Sequence, residues 1–290
     1  MATEKVLALG PAGIEEKEIT TGGGGGSSVL KGSDWVNWCY NSMASSFRFR
    51  TDKKDYGSGV CFFFPIRNSE FTGVISLYSG AGYYFTAYTA GAGVSLPIKE
   101  ALGLGITTGT AVTTFAEPTL ELAPGLPDKD VVGTKQRLTD LEDILVEIKI
   151  RTPAALSTST QTYTVNTYIL FSAGTGLFIG LGYTHNVNSG KWLLTYVTEA
   201  ISTITVDTGI TVAANTDYTA RFRTVWNPST SKFEATVSIG AYSVVLTDLR
   251  MNATLSVAAS IRGQVVLGKP TGTTATVLRL RDACVIVGLK

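Results

Sequence analysis

The sequence predicts an all-β protein, and three observations carry that reading. Apolar and polar residues alternate with a period of two over many short stretches. Turn residues interrupt these stretches at close intervals. Residues suited to pleated surfaces are abundant, with 12 tyrosines and 12 phenylalanines in 290 residues beside a heavy use of threonine. β-Branched and aromatic side chains fit a half-buried pleated surface, and many short strands with frequent turns describe a sandwich or a barrel. No stretch longer than about ten residues keeps the 3.6-residue period of an amphipathic helix.

In order along the chain, residues 1–33 stand apart. Val6, Leu7 and Leu9 are followed by the turn signal Gly10-Pro11-Ala12-Gly13, by Ile14 and Ile19 around a charged run, and then by five glycines from Gly22 to Gly26 and Ser27-Ser28. A glycine run loses too much chain entropy to hold regular structure, so it reads as a linker. The apolar residues before it are too few to own a core, which leaves a disordered tail or a peptide that orders on a partner. Residues 34–290 read as one β-sandwich domain.

Within that domain, Phe47 to Thr51 alternates as a half-buried strand, and Val60 to Phe64 is a continuous apolar run ended by Pro65. Val74 to Tyr78 and Tyr83 to Tyr88 flank a hairpin-like break. Residues 91–137 are dense in glycine and proline and read as short strands and long loops, with a helical turn near Ile98 to Leu102. Beyond Leu141 strands are expected at Leu145 to Ile150, Thr162 to Phe171, Leu177 to Tyr183, Lys191 to Thr198, Ile201 to Val206, Thr219 to Trp226 and Phe233 to Ile239. Tyr242 to Leu246, Leu255 to Ile261, Ala275 to Leu280 and Cys284 to Val287 complete the set. Asn188-Ser189-Gly190, Asp207-Thr208-Gly209, Asn227-Pro228-Ser229 and Gly240 supply turns.

The totals narrow the partners. Charged residues make up 16% of the chain and the net charge is +1. Nucleic-acid binding needs a concentrated basic surface, and the densest basic run, Arg48 to Lys54, contains Asp52 and ends beside Asp55. Low charge points to much side-chain area facing other protein, in a large core or in subunit contacts, and favours a homo-oligomer. No apolar run reaches the ~18 residues of a membrane helix, and the first residues lack the pattern of a signal peptide. Cys39, Cys61 and Cys284 are far apart and form no C-x-x-C pair; Cys61 and Cys284 lie in apolar runs as small core residues.

Few residues suit chemistry. The single histidine, His185, lies at a strand end running into a turn, too little for a metal centre or a nucleophilic triad. Asp140, Glu142, Asp143 and Glu147 do not have the spacing that sets two carboxylates in one cleft. Gly103-Leu104-Gly105 lacks the third glycine and following helix of a dinucleotide loop. The chain is therefore expected not to be an enzyme and to hold no cofactor and no metal. Trp192 and Trp226, where strands meet turns, are either core rings or, with His185, contacts for a glycan.

From about residue 141 onward the chain resembles the concanavalin-like jelly roll of structural proteins from tailed phages and prophages. The resemblance rests on Asp143 to Ile150, on Ile179-Gly180-Leu181-Gly182-Tyr183 through Asn188-Ser189-Gly190-Lys191-Trp192, and on Asp207-Thr208-Gly209 through Thr216. It continues in the strand Tyr218 to Val225 and in Gly272 to Asp282, with Gly105 to Thr110 upstream. It implies a concanavalin- or laminin G-like sandwich of antiparallel sheets with an extended N-terminal arm. It further implies a virion surface protein, made in the host bacterial cytoplasm: a capsid decoration protein, head fibre or tail fibre, with a homotrimer favoured. Val6, Leu7, Leu9, Ile14 and Ile19 would then dock on a major capsid protein or another virion protein. The alternative is a carbohydrate- or receptor-binding module that takes a host surface glycan.

Overall fold

The computed structural model describes residues 3–10, 13–20, 37, 59–64, 84–90, 98–100, 103–108, 117–123, 141–156, 158, 160, 162–172, 177–184, 188–253 and 262–289. The chain divides into two units, Met1–Leu30 and Lys31–Lys290. In the first, β1 (Thr3–Gly10) and β2 (Gly13–Thr20) pair antiparallel from Thr3 opposite Thr20 to Gly10 opposite Gly13. Only two residues separate the strands, the shortest common hairpin connection.

In the second unit the early strands are β3 (Gly59–Phe64), β4 (Tyr84–Ala90), β5 (Ile98–Glu100), β6 (Gly103–Thr107) and β7 (Glu117–Ala123). Then come β8 (Leu141–Arg151), β9 (Thr162–Ser172), β10 (Leu177–Thr184), β11 (Lys191–Val197), β12 (Thr203–Thr211) and β13 (Asp217–Asn227). The last are β14 (Lys232–Ile239), β15 (Tyr242–Leu246), β16 (Arg262–Thr271) and β17 (Val277–Leu289), with one helical turn, α1 (Arg250–Ala253), before β16. One sheet runs β12-β11-β10-β9-β16-β7-β4, and the other runs β15-β14-β13-β8-β17-β6-β5, with β3 also on β17. Every pairing is antiparallel. This is a jelly-roll β-sandwich.

The core forms because alternate residues of facing strands point inward. Tyr163, Val165, Ile169 and Phe171 of β9 and Leu177, Ile179, Leu181 and Tyr183 of β10 meet Ile144, Val146, Ile148 and Ile150 of β8 and Ala220 and Phe222 of β13. The period of two read from the sequence is thus the period of burial. On β8 it breaks over residues 143–146, all of them buried. There Leu145 and its partner Ile286 lie outside the main core cluster yet are closed to solvent.

Several expectations change at this level. Ile98 to Leu102 is not a helical turn, since Ile98–Glu100 pairs with Gly103–Gly105. Asp207-Thr208-Gly209 does not end a strand but lies inside β12, where the register with β11 shifts. Gly209 takes φ +74° and its N–H donates to Asp207 Oδ1 at 2.6 Å, so one local turn of backbone is absorbed as a bulge. The two strands expected after residue 275 are one, β17, with an irregularity between Leu280 and Asp282. The extra residue, Arg281, lies in the gap between the two expected strands. Phe47 to Thr51, Val74 to Tyr78 and Leu255 to Ile261 lie outside the described residues.

Candidate functional site

The seven-stranded sheet turns its second face away from the core, and the register sets that face row by row. One row runs Thr205, Thr195, Gly180, Tyr168 and Gln264, from β12 across β11, β10 and β9 to β16. The next runs Asp207, Leu193, Gly182, Asn166 and Val266 across the same strands. Neighbouring strands are ~4.8 Å apart, so each row crosses the sheet as a line of cross-strand neighbours at right angles to the strands.

Two glycines shape the middle of this face. A Cβ built on Gly180 would collide with the Tyr168 ring, coming 2.5 Å from Cε1 and closer still to Cδ1. A Cβ on Gly182 would collide with Asn166 Oδ1. Both side chains of β9 therefore lie down over the bare backbone of β10. Glycine inside a strand marks such a close approach. The Tyr168 ring is further set by Phe178, edge-on with centroids 5.8 Å apart and planes at 88°. Around this aromatic pair the side chains are neutral hydrogen-bonding groups: the amides of Asn166 and Gln264 and the hydroxyls of Thr195 and Thr205, whose oxygens are 3.4 Å apart. Lys191 and Asp207 form an ion pair at 3.0 Å on the β11–β12 side. A partly exposed aromatic ring with amide and hydroxyl groups beside it offers an apolar plane and donors and acceptors together.

A crevice near Phe178, lined also by Phe171, Val197, Leu249 and Met251, encloses about 200 Å³ including its open side. Small-molecule sites are ~300–1,000 Å³. Among the described residues no group of three metal-ligating side chains comes together.

The residues singled out in the sequence are scattered. Trp192 is fully buried, with Tyr183 and Tyr218 packed edge-on to its ring. A ring closed to solvent cannot stack on a sugar, so Trp192 is corrected to a core residue. Trp226 belongs to the other sheet and packs against the core with its ring edge-on to Phe233, centroids 5.1 Å apart. His185 lies outside the described residues. In the N-terminal hairpin Leu9 pairs with Ile14, but Leu7 pairs with Glu16, Val6 with Lys17 and Ile19 with Glu4. Tyr168, Asn166 and Gln264 were not singled out; the signal was Gly-Leu-Gly at 180–182, two glycines on one face of one strand.

The opposite sheet carries a cluster of ion pairs. Arg223 grips the fully buried carboxylate of Asp143, with Nη2 2.5 Å from Oδ2 and Nε 3.2 Å from both oxygens. Burial outweighs the guanidinium there and holds the Asp143 carboxyl above its ordinary value. Arg221 meets Glu147 at 2.6 Å, and Asp217 lies 2.8 Å from Arg151 and 3.8 Å from Arg281. The hydrogen bond from Arg151 holds Asp217 below the usual carboxylate range. These ladders pair charge with charge across strands.

No family model and no curated protein matches the chain. Solved structures of similar architecture include a double mutant of an alginate lyase in complex with alginate trisaccharide. It is 9% identical, with a TM-score of 0.45, over 80% of this chain and 99% of that one. A CBM2 module from the evolved Dit of Lactobacillus casei BL23 phage J-1 is 9% identical, with a TM-score of 0.45, over 80% and 98%. An endo-1,3-beta-glucanase from Streptomyces sioyaensis is 12% identical, with a TM-score of 0.46, over 83% and 92%. At such identities the likeness is one of fold, and fold does not give function. The expectation that the chain is not an enzyme is nevertheless corrected by these neighbours. Alginate lyases and a glucanase stand among the solved structures that the chain is similar to.

Proposed function

We propose that the outward face of the seven-stranded sheet engages a glycan, with Tyr168 as the stacking ring and Asn166 and Gln264 as its hydrogen-bonding neighbours. The observation that carries this reading is the Tyr168 ring laid over Gly180 and braced by Phe178. A ring held in place loses little rotamer freedom when a sugar stacks on it, which preserves more of the stacking energy as affinity. A polysaccharide array probed with the full chain and with Tyr168→Ala tests the proposal. The expected result is binding by the full chain and a loss of about tenfold or more in the variant, from ~1.4 kcal/mol of lost contact. The same incubations are assayed for new reducing ends and unsaturated products, which reads cleavage directly. An intact protein that binds no polysaccharide would overturn the proposal.

A second reading concerns where the sandwich is carried. We propose that residues 1–30 attach it to a virion surface. The support is a hairpin that forms a unit of its own and is followed in sequence by the five glycines Gly22 to Gly26. Deleting residues 1–30 should leave a folded sandwich that no longer joins particles. Full incorporation of the truncated chain would remove this reading.

A further inference from the structure

We infer that the glycan is a neutral polysaccharide and not a uronate or sulfated one, an inference that rests on the glycan reading of the same face. Its basis is the charge inventory of the two rows. Near the Tyr168 ring the described side chains are Asn166, Gln264, Thr195, Thr205 and Phe178, all uncharged. The cation on the β11–β12 side, Lys191, is already matched by Asp207 at 3.0 Å. Towards β16 and β7 the register places Arg262 opposite Leu170, Glu121 opposite Gln264, and Glu117 on the same side of β7 as Glu121. By register the face carries no excess of positive charge.

A polyanion brings a charge on every acidic sugar. Its recognition calls for a field of matching sign, which speeds encounter and offsets desolvation. Here a carboxylate or sulfate laid across the two rows would meet amide and hydroxyl groups, and Lys191 would have to leave Asp207 to reach it. Neutral hydroxyls need the opposite inventory: groups that both donate and accept. Threonine hydroxyls do both, and the Asn166 and Gln264 amides each present a carbonyl acceptor beside an NH₂ donor. A flat ring then takes the apolar C–H side of the sugar. The line of cross-strand neighbours favours an extended chain crossing the strands over a short branched terminus.

The test titrates the full-length protein with a soluble β-1,3-glucan, a β-1,4-glucan, a mannan, alginate and polygalacturonate, at about 50 mM and about 500 mM salt, since screening weakens only charge-dependent binding. The expected result is binding to at least one neutral polymer that changes less than about twofold with salt, with both polyanions at least about tenfold weaker. Tightest binding to alginate or polygalacturonate, lost at high salt and lost in Tyr168→Ala, would overturn the neutral assignment while leaving the Tyr168 face as the binding site. Binding to none of the five would overturn the glycan reading itself.

Discussion

Replacing Gly180 with alanine tests the seat of the Tyr168 ring. The new Cβ would come 2.5 Å from Tyr168 Cε1, nearer to Cδ1, and 3.4 Å from the Thr167 carbonyl. Carbon atoms in contact sit ~3.5–4.0 Å apart, so the overlap is about 1 Å and something must move. The ring is the softer element because the other close neighbour is backbone, and a partly exposed side chain shifts more readily than a strand. Swinging out forfeits the edge-on contact with Phe178, about 0.5–1.5 kcal/mol, and overpacking of this size costs about 1–3 kcal/mol in general. A loss of about 1–2 kcal/mol is expected. That lowers Tm by roughly 2–8 °C at ~2–4 °C per kcal/mol for a domain of this size. Thermal melts of wild type, Gly180→Ala, Tyr168→Ala and the double variant read this directly. With the ring gone the methyl group has nothing to strike, so the double variant should be more stable than the sum of the single losses, a coupling of about 1 kcal/mol. Simple additivity, or an unchanged Tm in Gly180→Ala, would refute the argument for the ring's position.

Three further outcomes follow from the opposite sheet and the core. Arg223→Met strands a buried carboxylate and should cost about 3–5 kcal/mol in denaturant melts. The deficit should shrink as pH falls, because burial already favours the neutral Asp143 carboxyl. Asp217 is the converse case: its lowered value means that its stabilisation is full above the unfolded carboxylate range and is lost as pH falls through the folded value. Asp217→Asn should therefore flatten the acid limb of a Tm-against-pH curve. Finally, the buried Thr224 Oγ1 has no hydrogen-bond partner among the described residues. Thr224→Val removes an unsatisfied hydroxyl, whose burial costs about 1–3 kcal/mol, and should raise Tm.

The strands after residue 141 were legible because each buries one face, and burial of alternate residues writes itself into the order of the residues. Where both faces are closed, as at Asp143 to Val146, alternation carried less information. A local turn signal misled at Asp207 to Gly209, where the strand bulges and continues because its partners hold both ends, and the gap expected between Leu280 and Cys284 is bridged in the same way. The candidate face was hidden for a different reason. Tyr168 and Asn166 gain their meaning from Gly180 and Gly182 on the neighbouring strand, and only the register joins them. The tryptophans drew attention by size, but size is what drives Trp192 into the core. The carboxylates examined for chemistry, Asp143 and Glu147, are held by Arg223 and Arg221 instead.

The most direct test of the glycan-binding face is hydroxyl-radical footprinting of the full chain, with and without a polysaccharide that it binds. Tyr168 and Phe178 should lose labelling when the glycan is present, while Tyr242 and Trp226 of the other sheet keep theirs. Protection of Tyr242 or Trp226 with Tyr168 and Phe178 unchanged would place the binding surface elsewhere and contradict the account.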